Sequence, residues 1–291
     1  MSRVPYGLLR YQLPMLWTGA RVVAHTLSTK RGSQQPPPQI APVGRVIAAP
    51  PTALVDAYLA WAGAAGDYAS ELPPHMVSQW SLPLVGELLL RMPYKLTSVI
   101  NQGVGLRVHG PLPRNTPLHL RAAVEQIEET PGRIKVVVLV TTGTAEQPVL
   151  LDTRLHMSFL LPGPRPARPA REQAAQPRWT SAGQWQASAR DGLHFALLTG
   201  DFNPIHWCGP LARRSVFRGL VLHGFGSFVR SYELLRQQGV HFSEIDVRFV
   251  KPVPLPSSTL SVQIADAAAD GWRAIRLAGA SDSVHLAGNL R

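Results

Sequence analysis

The densest polar cluster in an apolar part of the sequence is Thr199-Gly200-Asp201-Phe202-Asn203-Pro204-Ile205-His206. Gly200 can adopt a positive φ and Pro204 fixes φ, which together predict a rigid turn. Across this turn, Asp201 and His206 can aim their side chains into one cavity. A carboxylate and an imidazole that converge on one water suit the addition of water to a double bond, because one group accepts a proton while the other delivers one. The same residues also allow a purely structural turn, in which polar side chains only cap the backbone.

A second motif leads into a predicted long helix and reads Leu222-His223-Gly224-Phe225-Gly226-Ser227. The helix is predicted over Gly226–Gln238 from apolar residues at helical spacing. Backbone N–H groups at a helix N-terminus lack intrahelical partners and lie at the positive end of the helix dipole. They are suited to polarise a thioester carbonyl, and Gly224 would let that carbonyl approach closely. Alternatively, these glycines only turn the chain or allow close packing.

The two halves of the sequence share features. Gly66-Asp67 and Gly200-Asp201 each follow an apolar run, and Leu106–Pro113 parallels Val247–Pro254. Two matches in the same order and at nearly the same spacing indicate duplication of one domain. The first half is predicted to be a degenerate copy, because no Asn-Pro follows its Gly-Asp pair and its histidine, His75, stands too far along the chain.

Each half is predicted to hold one long helix followed by antiparallel strands. The helix of the first half is predicted over Leu82–Leu96. The strands, predicted from alternating apolar and β-branched residues, are Thr116–Gln126, Arg133–Thr142, Pro148–Leu161, Ile245–Val250, Thr259–Asp266, Trp272–Leu277 and Ser283–Leu290. One helix with a run of antiparallel strands, present twice, predicts an α+β fold in which each sheet wraps around a helix.

Proline-rich stretches divide the chain. Residues 32–51 contain three successive prolines and are predicted to form an extended connector. The stretch from Pro162 to Pro177 is rich in proline and arginine, which predicts a solvated linker. The predicted organisation is an N-terminal extension and connector, a degenerate first domain, a linker and a catalytic second domain, at residues 1–51, 52–161, 162–178 and 179–291.

Composition narrows the function classes. The chain has 291 residues, of which 45% are hydrophobic, so it can bury a sizeable core. Its 29 Lys+Arg against 18 Asp+Glu give a formal net charge of +11, which favours an anionic partner or serves only solubility. The apolar stretch Tyr6–Val23 is interrupted by two arginines, a glutamine and a proline, so no spanning helix is predicted. The single cysteine, Cys208, excludes an intramolecular disulfide and suits a reducing compartment, and a cytoplasmic location is expected.

The two motifs together resemble the hydratase-2 signature of MaoC-like dehydratases, the (R)-specific enoyl-CoA hydratases. The resemblance covers about residues 180–291 and implies the hot-dog fold, a long helix wrapped by an antiparallel sheet, here as a double hot-dog. In that family the aspartate and histidine of the motif activate water, and the glycine amide binds the thioester carbonyl. Carried over by position, these residues are Asp201, His206 and Gly224, with Asn203 supporting the turn.

Further supporting residues are expected beside this set, namely Gly200, His223 and Ser227. The family often places a serine in the helix to assist the carbonyl. Ser227 and Ser231 are available for this role, but Tyr232 stands at the aligned position. The resemblance also implies one active site per chain, with the first half reshaped to admit an acyl chain.

Three arginines follow the first motif and are candidate phosphate ligands. Arg213, Arg214 and Arg218 could hold the phosphates of coenzyme A or the phosphopantetheine of an acyl carrier protein, since a guanidinium matches phosphate geometry. If the segment is helical, Arg214 and Arg218 share one face. The other interpretation is a solvated, charged surface.

The expected activity is reversible hydration of a trans-2-enoyl thioester to the (R)-3-hydroxyacyl thioester. The expected partners are acyl-CoA or an acyl carrier protein thioester, and the sequence allows a homodimer without fixing the oligomeric state. No metal, separate cofactor, nucleic acid or membrane is expected, because the sequence lacks metal-ligand spacing and nucleic-acid motifs. The alternatives are a hot-dog thioesterase and a non-catalytic acyl-thioester binding protein.

Overall fold

A computed structural model describes residues 4–28, 40–94, 96, 99–161 and 177–291. Within these ranges the α-helices are α1 (Leu13–Ser28), α2 (Thr52–Ala62), α3 (Val77–Leu89), α4 (Asp191–Thr199), α5 (Gly209–Arg214) and α6 (Gly224–Gln237). Short 3-10 helices cover Tyr6–Gln12, Pro74–Met76, Pro204–His206 and Ala280–Asp282. The strands are β1 (Val43–Ile47), β2 (Glu71–Leu72), β3 (Val99–Val108), β4 (Leu112–Pro113), β5 (Leu118–Thr130), β6 (Arg133–Gly143), β7 (Leu151–Leu160), β8 (Trp179–Trp185), β9 (Glu244–Phe249), β10 (Leu260–Ala267), β11 (Arg273–Ala278) and β12 (Val284–Leu290).

Ten of these strands form one antiparallel sheet in the order β1-β5-β6-β7-β3-β9-β12-β11-β10-β8. Each half of the chain contributes five strands. Counted outward from the centre, the first half runs β3-β7-β6-β5-β1 and the second runs β9-β12-β11-β10-β8. The two series have the same order, so the topology repeats as the internal duplication predicts. The α+β fold class is confirmed.

The two halves meet at the pairing of β3 with β9. In the sequence match, Arg107 is equivalent to Arg248, which makes Gly105 equivalent to Asp246. In the sheet, Gly105 lies directly opposite Asp246. Two equivalent residues can face each other only at a two-fold axis, so a pseudo-two-fold axis passes between these positions.

A central helix packs against each half of the sheet. In the second half this helix is α6, which contacts β3, β8, β10 and β12. Its residues Phe225, Phe228, Val229, Tyr232 and Leu235 recur at helical spacing and are buried. Burial of each such side chain stabilises the fold by roughly 1.5–3 kcal/mol, so this apolar face seats the helix on the sheet. In the first half α3 takes the same place against β1, β5 and β6.

The N-terminal helical segment lies across both halves. Thr18 of α1 packs against Gly86 of α3, where a Cβ atom would lie 2.5 Å from the threonine methyl group. The preceding 3-10 helix contacts α4, and the buried side chain of Gln12 donates a hydrogen bond of 2.8 Å to the Leu197 carbonyl. This segment therefore buttresses the C-terminal end of α4, from which the first sequence motif leaves.

The structure corrects two predicted elements of the first half. The central helix is Val77–Leu89 rather than Leu82–Leu96, and it runs through Pro83. It ends at Leu89, and Pro93 disfavours its continuation to Leu96, because the residue ahead of a proline is pushed out of helical geometry. The predicted connector at residues 32–51 contains β1, an edge strand paired with β5. Edge strands tolerate neighbouring prolines, so the prolines did not exclude a strand here.

Other parts of the prediction agree with the structure or lie outside it. The seven predicted strands correspond to β5, β6, β7, β9, β10, β11 and β12. Helix α2 and strands β1, β3 and β8 were not predicted as such. The predicted linker at residues 162–178 lies almost entirely outside the described residues. Across the described ranges, no helix combines the length and apolar character that crossing a membrane would require.

Candidate active site

The first motif forms the turn that leaves α4. The helix ends at Gly200, whose φ of 84° lies in the left-handed region that favours glycine. The backbone N–H of Asn203 donates to Oδ1 of Asp201 at 3.3 Å, and the N–H of Ile205 donates to Oδ1 of Asn203 at 3.4 Å. Asp201 and Asn203 thus both cap the backbone, as expected for a purely structural turn. The capping uses only one carboxylate oxygen of Asp201 and leaves Oδ2 available.

His206 follows this turn in the short 3-10 helix Pro204–His206 and is buried. Its Nδ1–H donates a hydrogen bond of 2.8 Å to the Val221 carbonyl. Burial lowers the pKa of His206, because desolvation disfavours the imidazolium. A neutral imidazole that donates through Nδ1 carries its lone pair on Nε2. His206 is therefore set up to accept a proton.

His223 orients both members of the pair. Its ring stacks on that of His206 with centroids 3.6 Å apart. Its Nε2–H donates a hydrogen bond of 2.9 Å to the backbone carbonyl of Asp201. Burial, aided by the neighbouring His206, lowers the pKa of His223 to about 3. The ring is therefore neutral at neutral pH, and it links the Gly-Asp turn to the start of α6.

The three side chains converge. A carboxylate oxygen of Asp201 and a ring nitrogen from each of His206 and His223 lie within 4.8 Å of one another. A water that bridges two such groups lies about 2.8 Å from each, so one water can reach two groups at separations of this order. The Asp201 side chain is 42% exposed, so water reaches it.

The same triangle satisfies the distance requirement for a metal site. Two imidazoles and a carboxylate are acceptable zinc ligands. Backbone carbonyls engage Nδ1 of His206 and Nε2 of His223, which leaves Nε2 of His206 and Nδ1 of His223 as the ring nitrogens available to a ligand. The sequence-based expectation of no metal stays a prediction.

Gly224 is the first residue of α6 and directly follows His223. The N–H groups of the first helical turn have no intrahelical acceptor, so they are available to a ligand beside the two histidines. A Cβ atom at position 224 would collide with the ring of Phe249 on β9. Glycine is therefore required here for packing, whatever its chemical role. Ser227 lies buried in the same first turn, and its carbonyl accepts a hydrogen bond from Ser231.

The three candidate phosphate ligands lie beyond the turn and are exposed. Arg213 and Arg214 form the last turn of α5. Arg218 lies outside the helix with a φ of 57°. The condition under which Arg214 and Arg218 would share a helix face is not met, because α5 ends at Arg214.

The first half does not reproduce this site. The bridge between Val221 and Pro254 corresponds to the pairing of Glu71 with Pro113. These pairs make Glu71 equivalent to Val221. Four residues further along each half, His75 is therefore equivalent to Phe225 at the start of the central helix, and not to His206. His75 is therefore not a displaced counterpart of His206, because residues 63–70 are too short to hold a counterpart of the excursion at residues 200–220.

His75 instead joins the two halves. It is fully buried, and its Nε2 lies 2.5 Å from Oε1 of Glu233 on α6, which also accepts a hydrogen bond of 2.7 Å from the Tyr68 hydroxyl. Burial alone raises the pKa of Glu233, but the hydrogen bonds from His75 and Tyr68 outweigh burial and lower that pKa. The pair is thus a charged or strongly hydrogen-bonded contact between the halves.

Sequence reasoning missed several residues that shape the site. The Val221 carbonyl fixes the His206 ring, and the Phe195 ring lies 5.1 Å from that of His223. Gly192 of α4 packs against the His206 carbonyl so closely that any Cβ atom would overlap it. A carbonyl carries no sequence signal, and a glycine at a close approach cannot be told from one in a turn.

Comparisons with known proteins agree with this architecture. Residues 166–285 match the MaoC-like domain family. A search of curated proteins found no significant match. Among solved structures, HtdX of Mycobacterium tuberculosis is 20% identical over 86% of this chain and 99% of its own, with a TM-score of 0.70.

Two further solved structures are similar. A MaoC-like dehydratase from Phytophthora capsici is 17% identical, with 86% of this chain and 94% of the other covered and a TM-score of 0.67. A conserved hypothetical protein of Mycobacterium tuberculosis with a double hot-dog fold is 15% identical, with coverages of 85% and 95% and a TM-score of 0.51. At these identities the likeness concerns the fold. The chain therefore has the double hot-dog fold, and residues 166–285 are similar to the MaoC-like domain.

Proposed function

We propose that this protein catalyses the reversible hydration of a trans-2-enoyl thioester to the (R)-3-hydroxyacyl thioester. The observation that carries the proposal is the convergence of Asp201 and His206 within 4.8 Å, a separation that one water can bridge, beside the N-terminus of α6. The match of this half of the chain to a family described as MaoC-like supports the same class of reaction.

In the proposed mechanism, Asp201 and His206 hold both protons of the attacking water. The Asp201 carboxylate accepts one hydrogen bond and the unprotonated Nε2 of His206 accepts the other. As the water oxygen adds to C3, one of these groups takes a proton. The proton then passes to C2, which completes the addition of water and regenerates the pair. Positioned acid–base groups of this kind typically contribute a factor of roughly 10² to 10⁴.

The thioester carbonyl is proposed to lie at the start of α6. Addition at C3 sends negative charge to the carbonyl oxygen, and the N–H of Gly224 would donate a hydrogen bond to it. The helix dipole favours that charge as well. Loss of one such donor in other enzymes costs a factor of about 10² to 10³, so this contact is a substantial part of the proposed catalysis.

The acyl carrier is proposed to be coenzyme A or the phosphopantetheine of a carrier protein. Arg213, Arg214 and Arg218 are exposed cations close in sequence to the catalytic turn, which suits contact with phosphates. No metal and no redox cofactor takes part in the proposed reaction. We propose a cytoplasmic location, because the single cysteine, Cys208, suits a reducing compartment.

The test is to mix the purified protein with crotonyl-CoA and follow the absorbance of the conjugated enoyl group. Loss of that absorbance without release of free thiol, measured with a thiol reagent, supports hydration. Release of free thiol at the same rate would instead indicate a thioesterase. Unchanged absorbance with saturable binding would indicate a non-catalytic binding protein. Oxidation of the product by an (R)-specific, but not an (S)-specific, 3-hydroxyacyl dehydrogenase tests the stereochemistry.

A further inference from the structure

The outward face of the N-terminal helical segment is apolar. Five large apolar side chains on this segment are exposed, with fractional exposures of 66% for Tyr6, 43% for Leu9, 65% for Leu13, 40% for Leu16 and 70% for Trp17. We call these five residues the N-terminal stripe. Isolated exposed apolar side chains are ordinary, but a contiguous set marks an interaction surface.

The spacing places the stripe on one side of the segment. Residues three apart in a 3-10 helix are eclipsed, which aligns Tyr6 with Leu9. In α1, Leu13 lies above Leu16 and Trp17, since residues three and four apart share a face. Leu8 and Thr18 lie away from the stripe, are buried and contact the protein. Gln12, in line with Leu9, is buried against α4 and marks the edge of the stripe. The inner face alone therefore accounts for docking of the segment, and the stripe is left for another surface.

The part of the sequence that carries the stripe has charges of a single sign. In the sequence, no Asp or Glu precedes Asp56. The same stretch holds six basic residues, which are Arg3, Arg10, Arg21, Lys30, Arg31 and Arg45. Arg10 and Arg21 flank the stripe on the segment itself and are exposed, and neither forms an ion pair with a described residue. The stripe is thus an apolar surface bordered by cations.

We propose that the N-terminal stripe binds the surface of an anionic lipid membrane, with the segment lying in the plane of the interface. A helix with apolar and aromatic residues on one face and arginines beside them is suited to this position, because the rings enter the acyl boundary while the cations meet lipid phosphates. This proposal departs from the sequence-based expectation of no membrane partner, which rested on the lack of a predicted spanning helix. Adsorption needs only one apolar face, so the two statements address different modes of binding.

Charge complementarity favours a lipid surface over a second copy of this chain. If two copies joined through their stripes, Arg10 and Arg21 of one copy would lie close to the same arginines of the other. This part of the sequence has no acidic residues to offset their repulsion. Each copy also carries a net charge of +11, which opposes association. A bilayer that contains phosphatidylglycerol supplies both the apolar phase and the opposite charge.

The experiment measures co-sedimentation of the full-length protein with vesicles. Wild-type protein is expected to bind vesicles of phosphatidylglycerol and phosphatidylcholine at least tenfold more tightly than vesicles of phosphatidylcholine alone, and to bind less in high salt. The double variant Leu13→Glu/Trp17→Glu is expected to lose at least tenfold in binding. The control is Val46→Glu/Val149→Glu, which changes the charge equally at exposed apolar positions outside the stripe and should bind as wild type does.

Three results would overturn the proposal. One is that the wild-type protein does not bind anionic vesicles. Another is that the stripe variant and the control variant lose binding equally, which would make the effect one of net charge. The third is that the wild type is dimeric by light scattering while the stripe variant is monomeric, which would assign the stripe to a second copy. The milder variant Arg10→Gln/Arg21→Gln provides a second test, with several-fold weaker binding expected, if the glutamates impair folding.

Discussion

At the scale of single residues, the roles proposed for Asp201 and His206 depend on their convergence on one water. Asp201→Asn removes a proton acceptor while preserving the turn, since the amide oxygen can still accept from Asn203. His206→Gln removes the titrating ring. Each variant is expected to lower kcat/KM by roughly 10² to 10⁴, measured with crotonyl-CoA, and to keep the wild-type circular dichroism. Asp67→Asn is the matched control, and equal damage there would contradict a single active site per chain.

The neutral, buried His223 predicts a pH dependence of stability. Its pKa is about 3 in the folded protein and about 6.5 when unfolded, so the unfolded state binds an extra proton between these values. The free energy of unfolding should therefore be undiminished above pH 6.5 and fall by about 1.4 kcal/mol for each pH unit below it. Denaturant unfolding of wild type and His223→Phe at several pH values tests this, with the exposed His241→Phe as control. Parallel slopes for wild type and His223→Phe would contradict the prediction.

Gly224 has two candidate roles that one substitution cannot separate. A methyl group at this position meets the Phe249 ring, so Gly224→Ala should reduce both stability and turnover. In the double variant Gly224→Ala/Phe249→Leu, the smaller side chain relieves the collision, and stability should recover by about 1 kcal/mol or more. Turnover should stay at least tenfold low if the backbone there receives the thioester carbonyl. If both stability and turnover recover, Gly224 serves only packing. The single variant Phe249→Leu is the control.

At the scale of elements, sequence patterns predicted the strands whose own residues have a high strand propensity. Strands β5, β6 and β7 alternate or run apolar with many β-branched residues. In contrast, Gly103 and Gly105 interrupt the apolar pattern of β3 and weaken its strand propensity, yet β3 pairs on both sides at the centre of the sheet. Its conformation is imposed by neighbours that are distant in sequence, which local propensity does not register.

The candidate site divides in the same way. The Gly-Asp turn and the helix beginning at Gly224 follow from local chemistry, and their positions could be predicted. The stacking of His223 on His206 and the anchoring of His206 by the Val221 carbonyl could not. Both contacts join segments that meet only after the chain has folded, and neither needs a distinctive residue pattern.

Helix α5 ends before Arg218, so phosphate contact cannot depend on one helix face. If Arg214 and Arg218 converge on a phosphate from the helix end and the following turn, Arg214→Ala/Arg218→Ala should raise KM for crotonyl-CoA and spare kcat. The increase should shrink with added salt and vanish for a crotonyl thioester of pantetheine, which lacks the phosphates. Arg107→Ala/Arg121→Ala changes the charge equally at other exposed positions. If KM rises equally in both variants, or in neither, Arg214 and Arg218 do not bind the phosphates and are only solvated surface charges.

At the scale of the whole molecule, the buried pair of His75 and Glu233 holds the halves together. Removal of one partner from a buried pair typically costs about 3–5 kcal/mol, and Glu233→Gln should lower the free energy of unfolding by that order. Because the pKa of Glu233 is lowered by folding, its contribution is present above the unfolded value and is lost as pH falls through the folded one. The double variant His75→Leu/Glu233→Leu should cost less than the sum of the single variants in denaturant unfolding. Simple additivity would contradict a coupled pair.

The axis between Gly105 and Asp246 also bears on how this molecule can change. In a dimer of identical subunits one residue type must occupy both sides of such an axis. Asp opposite Asp would set two carboxylates together, and Gly opposite Gly would leave His156 without the carboxylate that it meets at 3.1 Å. With both copies in one polypeptide, a glycine on one side makes room for the aspartate on the other. In a symmetric dimer, one substitution near the axis changes both subunits, whereas in this chain it changes only one half. Two different residues that complement each other can therefore face one another across the axis.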